Sequence, residues 1–328
     1  MVKLLRSYLT NRQQVVECNK VRSTARNLEA GSPQGSKVSP LLFLALVADL
    51  EHWVPDAKVL SYADDTTIYT TGKTKKEVKE KLQRAAEKVL EFMQATKLSA
   101  NSAKTKFMMF TKTEEEPIRV GNCDIQESKE EVLLGINFNR KLTMNSDLET
   151  LESELRKRIG LLRRLRCHLP RSVLCQFLNS IFVSKMLYSL PFHTGEKSQK
   201  TLTKLHRQAM KAALKIPTRA DIATEKLLQQ TRQSSIKELT TRSLAGLAWN
   251  CSKNWEEHPL TKSRVKGHIG SHRTRQTERD FPPQEVRESL ITHMIEVWEK
   301  MPFDVKSAED PFTFKENLGI WTSQMAML

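Results

Sequence analysis

Residues 59–69 read V-L-S-Y-A-D-D-T-T-I-Y. Two adjacent carboxylates, Asp64 and Asp65, interrupt an apolar, β-prone run. The flanks 59–63 and 66–71 predict two strands, which places the pair at the bend of a hairpin. Asp favours turns because its short side chain bonds the local backbone. The same two carboxylates at a bend can also approach one solvent-filled space. Phosphoryl-transfer chemistry needs that arrangement, because Mg²⁺ takes hard oxygen ligands, usually one or two carboxylates plus substrate phosphates. The dipeptide alone serves a turn as readily as a metal.

The chain around it has 328 residues, 39% of them hydrophobic, enough for a core and for more than one domain. Lys and Arg number 53 against 38 Asp and Glu, a formal net charge of +15. The isoelectric point is about 9.6. Such an excess suits a polyanionic partner, nucleic acid foremost. Five cysteines, at 18, 123, 167, 175 and 251, form no C-x-x-C pair. Neither a disulfide framework nor a standard zinc site is indicated. Cys251, His258, His268 and His272 are too irregularly spaced to read as a zinc knuckle. No secretory leader is legible, and the longest apolar run, 41–48, is too short to span a membrane. The expectation is an intracellular protein, nuclear or cytoplasmic, neither secreted nor in a membrane.

Upstream of the doubled aspartate, 3–9 predicts the tail of a helix. Strands follow at 14–18 and 21–24 around Asn19-Lys20. Residues 31–35, with two glycines and a proline, form a shaped loop. Ser39 then Pro40 predicts a helix start, with Ser at the N-cap. The helix that follows is apolar nearly all round and should be buried. Downstream, Thr74 with Glu77 is a capping box opening a helix to about Thr96. Val78, Leu82, Ala85, Val89 and Met93 lie on one face of that helix. A polar loop at 101–106, a buried strand at 107–110, a hairpin about Gly121-Asn122 and a strand at 132–138 complete this half.

The rest is helical. Ser146 with Glu149 forms a second capping box, and Leu148, Leu151, Leu155, Ile159, Leu162 and Leu169 keep a helical period. Further helices are expected at 172–189, 198–215, 221–230, 234–250 and 284–300. The fold class is α+β: antiparallel sheet with helices, then an all-α region. The expected divisions are 1–140, a helical region at 141–250, a basic linker at 251–283 and a C-terminal helical segment at 284–328.

The order of parts narrows the function. Gly31-Ser32-Pro33-Gln34-Gly35-Ser36, then Ser39-Pro40-Leu41-Leu42-Phe43, then Tyr62-Ala63-Asp64-Asp65 resembles the reverse transcriptase domain of LINE-type (non-LTR) retrotransposons. Ser7 to Gln13, Asn101 to Lys106 and Leu134-Gly135-Ile136 resemble the segments that flank these motifs. The resemblance is close over 7–140 and looser beyond. It implies a partial polymerase palm followed by an all-α thumb, and RNA-templated DNA synthesis with two Mg²⁺ ions. The implied partners are an RNA template, a DNA primer, their RNA–DNA hybrid and deoxynucleoside triphosphates. Asp64 and Asp65 are the implied metal ligands. Tyr62 and Ala63 are implied beside the primer terminus, and Gln34 with Gly35 at the template–nucleotide pair. Lys104, or failing it Lys106, is implied near the leaving pyrophosphate, although a solvated loop lysine fits its sequence equally well.

Arg156, Lys157, Arg163 and Arg164 are implied to track phosphates from the thumb. The family carries a further metal-ligating aspartate in a motif ahead of the Ser7 segment. The chain opens after that motif, so it is expected to be an incomplete polymerase, inactive alone, with a bare sheet edge beside the Asp64 hairpin. The alternative is a non-catalytic, basic nucleic-acid-binding remnant.

Overall fold

The computed structural model describes residues 2–28, 31–33, 35–110, 116–253 and 290–325. The chain divides into two compact units, Met1–Glu131 and Val132–Leu328.

The first unit is built from helices and small antiparallel ladders, as an α+β reading requires. Helix α1 (Val2–Leu9) precedes two nested hairpins. Strand β2 (Glu17–Cys18) pairs with β3 (Val21–Arg22), and outside them β1 (Arg12–Gln14) pairs with β4 (Arg26–Leu28). Asn19 and Lys20 turn the inner hairpin with φ of 51° and 66°. Positive φ at both central residues matches the right-handed twist of the flanking strands. Helix α2 (Ser39–Val47) and the short α3 (Leu50–Trp53) follow. Strands β5 (Lys58–Tyr62) and β6 (Asp65–Tyr69) form the hairpin expected around the doubled aspartate.

Helix α4 (Lys75–Thr96) organises the core of this unit. Its capping box forms much as expected: Glu77 N donates to Thr74 Oγ1 at 3.2 Å. Glu77 reaches back one residue further than the motif requires, where its Oε2 accepts from Lys73 N at 2.9 Å. Lys97, with φ of 57°, ends the helix. Ala85 and Phe92 bury against Leu50, Val54 and Ala57, with Val59 and Ile68 of the hairpin packed on the same cluster. Trp53 meets the Phe92 ring edge-on at 5.7 Å. The other end of α4 presents Val78 and Leu82 to Phe107, Met109, Ile118 and Ile125. The last two lie on β7 (Ile118–Val120) and β8 (Cys123–Ile125), a hairpin turned at Gly121, φ 63°.

Several expectations need correction in this unit. Helix α2 is not buried: Leu41 is 65% exposed, and Leu44 and Leu46 are also exposed. A helix apolar on every side needs partners on every side, and here only its first residue, Ser39, is buried. Ser39 is not the N-cap either. Val38 holds that position, and Ser39 Oγ instead donates to Pro33 O at 2.5 Å. Residues 107–110 form no strand beyond one bridge, Phe107 to Glu127. The Glu127 carboxylate accepts from Met109 N at 3.2 Å, so a side chain takes the donor that a ladder would have used.

The second unit opens on a hairpin where one strand was expected. Strand β9 (Glu130–Leu133) pairs with β10 (Ile136–Asn139). The chain reverses at Leu134 and Gly135, with φ of 49° and 78°. Helix α5 (Asn145–Leu165) then buries the expected stripe of Leu148, Leu151, Leu155, Ile159 and Leu162. Its expected capping box is replaced: Met144 occupies the N-cap without a side-chain bond. Asp147 faces inward to other partners, described below.

A continuous helical run follows: α6 (Arg171–Phe177), a π-turn at Leu178–Val183, α7 (Ser184–Ser189) and a 3₁₀ turn at Leu190–Phe192. By length and composition Arg171–Phe192 is apolar enough to cross a membrane. Leu174, Leu178, Phe182, Met186 and Leu190 are fully buried in the helical core. Helices α8 (Glu196–Ala213) and α9 (Thr224–Thr231) close that core, with Ile236 from the start of α10 (Ile236–Lys253).

A second cluster joins the rest of α10 to α11 (Leu290–Lys300), α12 (Phe303–Lys306) and α13 (Pro311–Met325). Trp249 stacks on Phe314 with ring centroids 4.6 Å apart. Of the expected basic linker, 254–283 lies outside the described residues, as do 284–289 of the expected last helix and His258, His268 and His272.

Candidate active-site hairpin and cationic surfaces

The geometry of the Asp64–Asp65 pair follows from strand register. Val59 pairs with Ile68, Leu60 with Thr67, Ser61 with Thr66 and Tyr62 with Asp65. Directly paired residues share a sheet face, and successive residues alternate between faces. Val59 and Ile68 pack on the α4 cluster. Leu60, Tyr62, Asp65 and Thr67 therefore share the opposite face. Leu60 and Tyr62 are exposed there, Tyr62 by 70%. Ala63 and Asp64 form the two-residue turn, with Ala63 at φ 53°. A non-glycine residue in that region costs about 1 kcal/mol. The result is two exposed carboxylates at a hairpin tip, next to an open face that carries an aromatic ring.

The other expected site residues divide. Gly35 lies in the loop before α2 with φ of 79° and open space where a Cβ would stand. Gln34 lies outside the described residues. The loop is tied locally: Tyr8 Oη donates to Ser36 Oγ, and the Arg12 guanidinium donates to Gly31 O. Lys104 sits in a turn held by Asn101, whose carbonyl accepts from Lys104 N at 3.0 Å and Thr105 N at 2.9 Å. The lysine side chain is exposed. Among the described residues, no group of three or more His, Cys, Asp or Glu converges in a way that could hold a metal ion. The Asp64–Asp65 pair offers the hard oxygen donors that Mg²⁺ takes, which is a partial ligand set.

In the second unit, Arg156, Lys157, Arg163 and Arg164 are all exposed. At 100° per residue they occupy an arc of about 120° on α5, opposite the leucine stripe. Arg156 Nε donates to Glu152 Oε1 at 3.1 Å, so part of that charge is matched within the helix. Arg158 is not on the arc; its guanidinium donates to Ile181 O at 2.6 Å.

Two features of this unit were not singled out from sequence. The first is a buried Asp–His hydrogen bond. Asp147 Oδ2 bonds His193 Nε2 at 2.8 Å, and Asp147 Oδ1 accepts from Asn137 N at 2.9 Å. The two side chains are 7% and 1% exposed. Burial by itself pushes the Asp147 carboxyl up. The hydrogen bonds from His193 and Asn137 N outweigh it, with the charges of His193 and Lys185 helping, and hold the carboxyl below its ordinary value. Tyr188 Oη also donates to Leu134 O at the hairpin turn. The second feature is a groove of about 690 Å³ along α8, lined by side chains with polar ends. Its signal in the sequence is the recurrence of cations at 200, 204, 207 and 211, a helical period.

Residues 2–138 match the family described as reverse transcriptase (RNA-dependent DNA polymerase). Relatives match over a comparable length of chain. The chain is 25% identical over 165 residues to "Probable RNA-directed DNA polymerase from transposon X-element" of Drosophila melanogaster, covering 48% of this chain and 18% of that protein. It is 26% identical over 168 residues to "RNA-directed DNA polymerase from mobile element jockey" of Drosophila funebris, with the same coverage. It is 29% identical over 173 residues to "Probable RNA-directed DNA polymerase from transposon BS" of Drosophila melanogaster, covering 49% and 19%. The chain thus spans about a fifth of the length of the curated relatives it matches. No solved structure matches. Residues 2–138 are thus similar to the reverse transcriptase family and to polymerases of Drosophila mobile elements.

Proposed function

We propose that this chain is the palm and thumb part of an RNA-directed DNA polymerase, the class of enzyme that extends a DNA primer on an RNA template. The observation that carries this is the Tyr62-Ala63-Asp64-Asp65 hairpin, two exposed carboxylates at a tip inside the segment that matches the reverse transcriptase family. Asp64 is the principal metal ligand of this chain and Asp65 the secondary one. Bound Mg²⁺ supplies charge neutralisation for the attacking and leaving oxygens of an in-line displacement.

The chain's own residues position the reactants. Tyr62 and the small Ala63 flank the primer end. The loop around Gly35 lets backbone approach the template–nucleotide pair, with Gln34 as its polar contact. Lys104 donates a proton toward the leaving pyrophosphate. Arg156, Lys157, Arg163 and Arg164 meet the phosphates of the RNA–DNA hybrid without reading sequence. The work of such an enzyme lies inside the cell, in nucleus or cytoplasm.

Two carboxylates are fewer than a two-ion site requires, so the 328-residue chain by itself is inactive and needs another carboxylate from outside the described set. The second reading, a basic nucleic-acid binder without catalysis, is favoured by the same incomplete ligand set. Primer extension on poly-rA with oligo-dT and Mg²⁺ separates them. A chimera carrying the upstream segment of the jockey polymerase ahead of this chain should extend the primer. In that chimera Asp64→Asn should cut the rate at least about a thousandfold, about 4 kcal/mol of barrier. Salt-sensitive hybrid binding with no synthesis by any such chimera would leave the binder. Robust synthesis by the chain alone would overturn its inactivity.

A further inference from the structure

Helix α8 carries five cations and one carboxylate, Glu196. Lys200, Lys204, Arg207 and Lys211 recur at intervals of four, three and four residues, so they share one face. That face is the floor of the groove of about 690 Å³, and Lys237 from the start of α10 stands at its wall. Lysines 200, 204 and 237 are exposed. Lys200 pairs with Glu196 at 2.5 Å in full solvent, a contact that a competing anion displaces at little cost. The others face no carboxylate in the groove.

Two of the cations are held in place. Lys211 Nζ donates to Thr218 O at 3.1 Å and Ala220 O at 2.7 Å. The Arg207 guanidinium donates to Ile222 O at 3.1 Å, while its Nε is buried without a hydrogen-bond partner. Pockets for apolar small molecules are lined mainly by hydrophobic side chains. This lining sets five cations against one carboxylate, above apolar side-chain stems, so it fits an anion. From Lys200 to Lys211 the helix rises about 16 Å. One strand of a duplex sets a phosphate about every 3.4 Å along its axis, so that length spans about five phosphates.

We propose that the α8 groove is a binding site for the sugar–phosphate backbone of nucleic acid, separate in sequence from the cation arc on α5. It deepens the proposed function and rests on it. The arc on α5 is a convex surface, whereas the α8 cations line a concavity, and two of them are fixed by backbone carbonyls.

The full chain is titrated against a fluorescein-labelled RNA–DNA hybrid over a range of salt. Lys204→Glu with Lys237→Glu alters the groove. Lys215→Glu with Lys226→Glu makes the same charge change on exposed lysines outside the groove lining. The groove pair should weaken binding at least tenfold more than the control pair. Lys204→Ala with Lys237→Ala should lower the slope of log K against log salt by about two. Equal losses from the two reversed pairs would overturn the groove as a site and leave nucleic-acid binding standing. Loss of polyglutamate binding by the groove pair, with hybrid binding intact, would overturn it in favour of an acidic peptide. Absence of hybrid binding by the unaltered chain would overturn the proposed function itself.

Discussion

At the scale of single residues, buried titratable groups set how this protein responds to acid. His206 on α8 is 2% exposed and stacks on Phe182 with centroids 6.1 Å apart. Burial pushes its pKa down from 6.5 to about 4, partly opposed by a bond with Gln233. The unfolded chain takes up a proton below pH 6.5 that the folded chain refuses until about pH 4. Stability is therefore fully present above pH 6.5 and falls as pH drops toward 4. At 1.36 kcal/mol per pH unit the loss is about 3 kcal/mol. His206→Phe should flatten this slope in urea denaturation between pH 7 and 4; an unchanged slope would assign the acid response elsewhere. Asp147 acts at lower pH. Its depressed carboxyl contributes stability above its ordinary value of 3.8 that is lost as pH falls through the folded value. Asp147→Ala leaves His193 and Asn137 N without their buried acceptor and should cost about 1–3 kcal/mol for each group left unpaired.

At the scale of elements, the two halves should differ in how firmly their pieces are held. Leu162 is fully buried on α5, and Leu162→Ala should cost about 2–5 kcal/mol. The β5–β6 hairpin is a two-stranded ladder with one face open, and two strands alone are marginal. Hydrogen exchange of the Leu60 and Thr67 amides should be much faster than that of the buried stripe of α5. Helical elements were the most legible from sequence. The leucine stripe of α5 and the Thr74 capping box were read from spacing alone, because their partners lie within the same helix or on one face. The doubled-aspartate hairpin was also legible, since its apolar flanks and its bend are local. Elements whose form depends on distant groups were not. Met144 took the N-cap expected of Ser146, and Asp147 turned inward to His193, 46 residues away. The strand at 132–138 became a hairpin through backbone conformations at Leu134 and Gly135. Glu127 interrupted the ladder at Met109 through a side chain that no periodicity marks.

At the scale of the whole molecule, the buried cores are unequal. The first unit buries two small clusters around α4, whereas the second buries a large helical cluster and a Trp-rich one. Urea unfolding followed at separate probes should give two transitions, the first unit melting at the lower concentration. A single coincident transition would mean that the units fold as one. The apolar flank of α2 and the open face of the hairpin belong to that weaker unit, which accounts for the failure of its expected burial. The π-turn in the second unit sets a different constraint. Leu174, Leu178, Phe182, Met186 and Leu190 recur every four residues, and all are fully buried. In a plain α-helix each such step overshoots by about 40°, so four steps would swing Leu190 about 160° around the axis. The wider turn absorbs about one extra residue, returning about 100° of that drift. The insertion thus acts as a phase correction that keeps five side chains in one azimuth and aims Tyr188 and His193 at the Leu134 turn and Asp147. Deleting Ser180 should therefore leave the later side chains in phase, because the wider turn would close to a plain α-turn, whereas inserting a residue into α7 would rotate all that follow by about 100° and lower the urea midpoint.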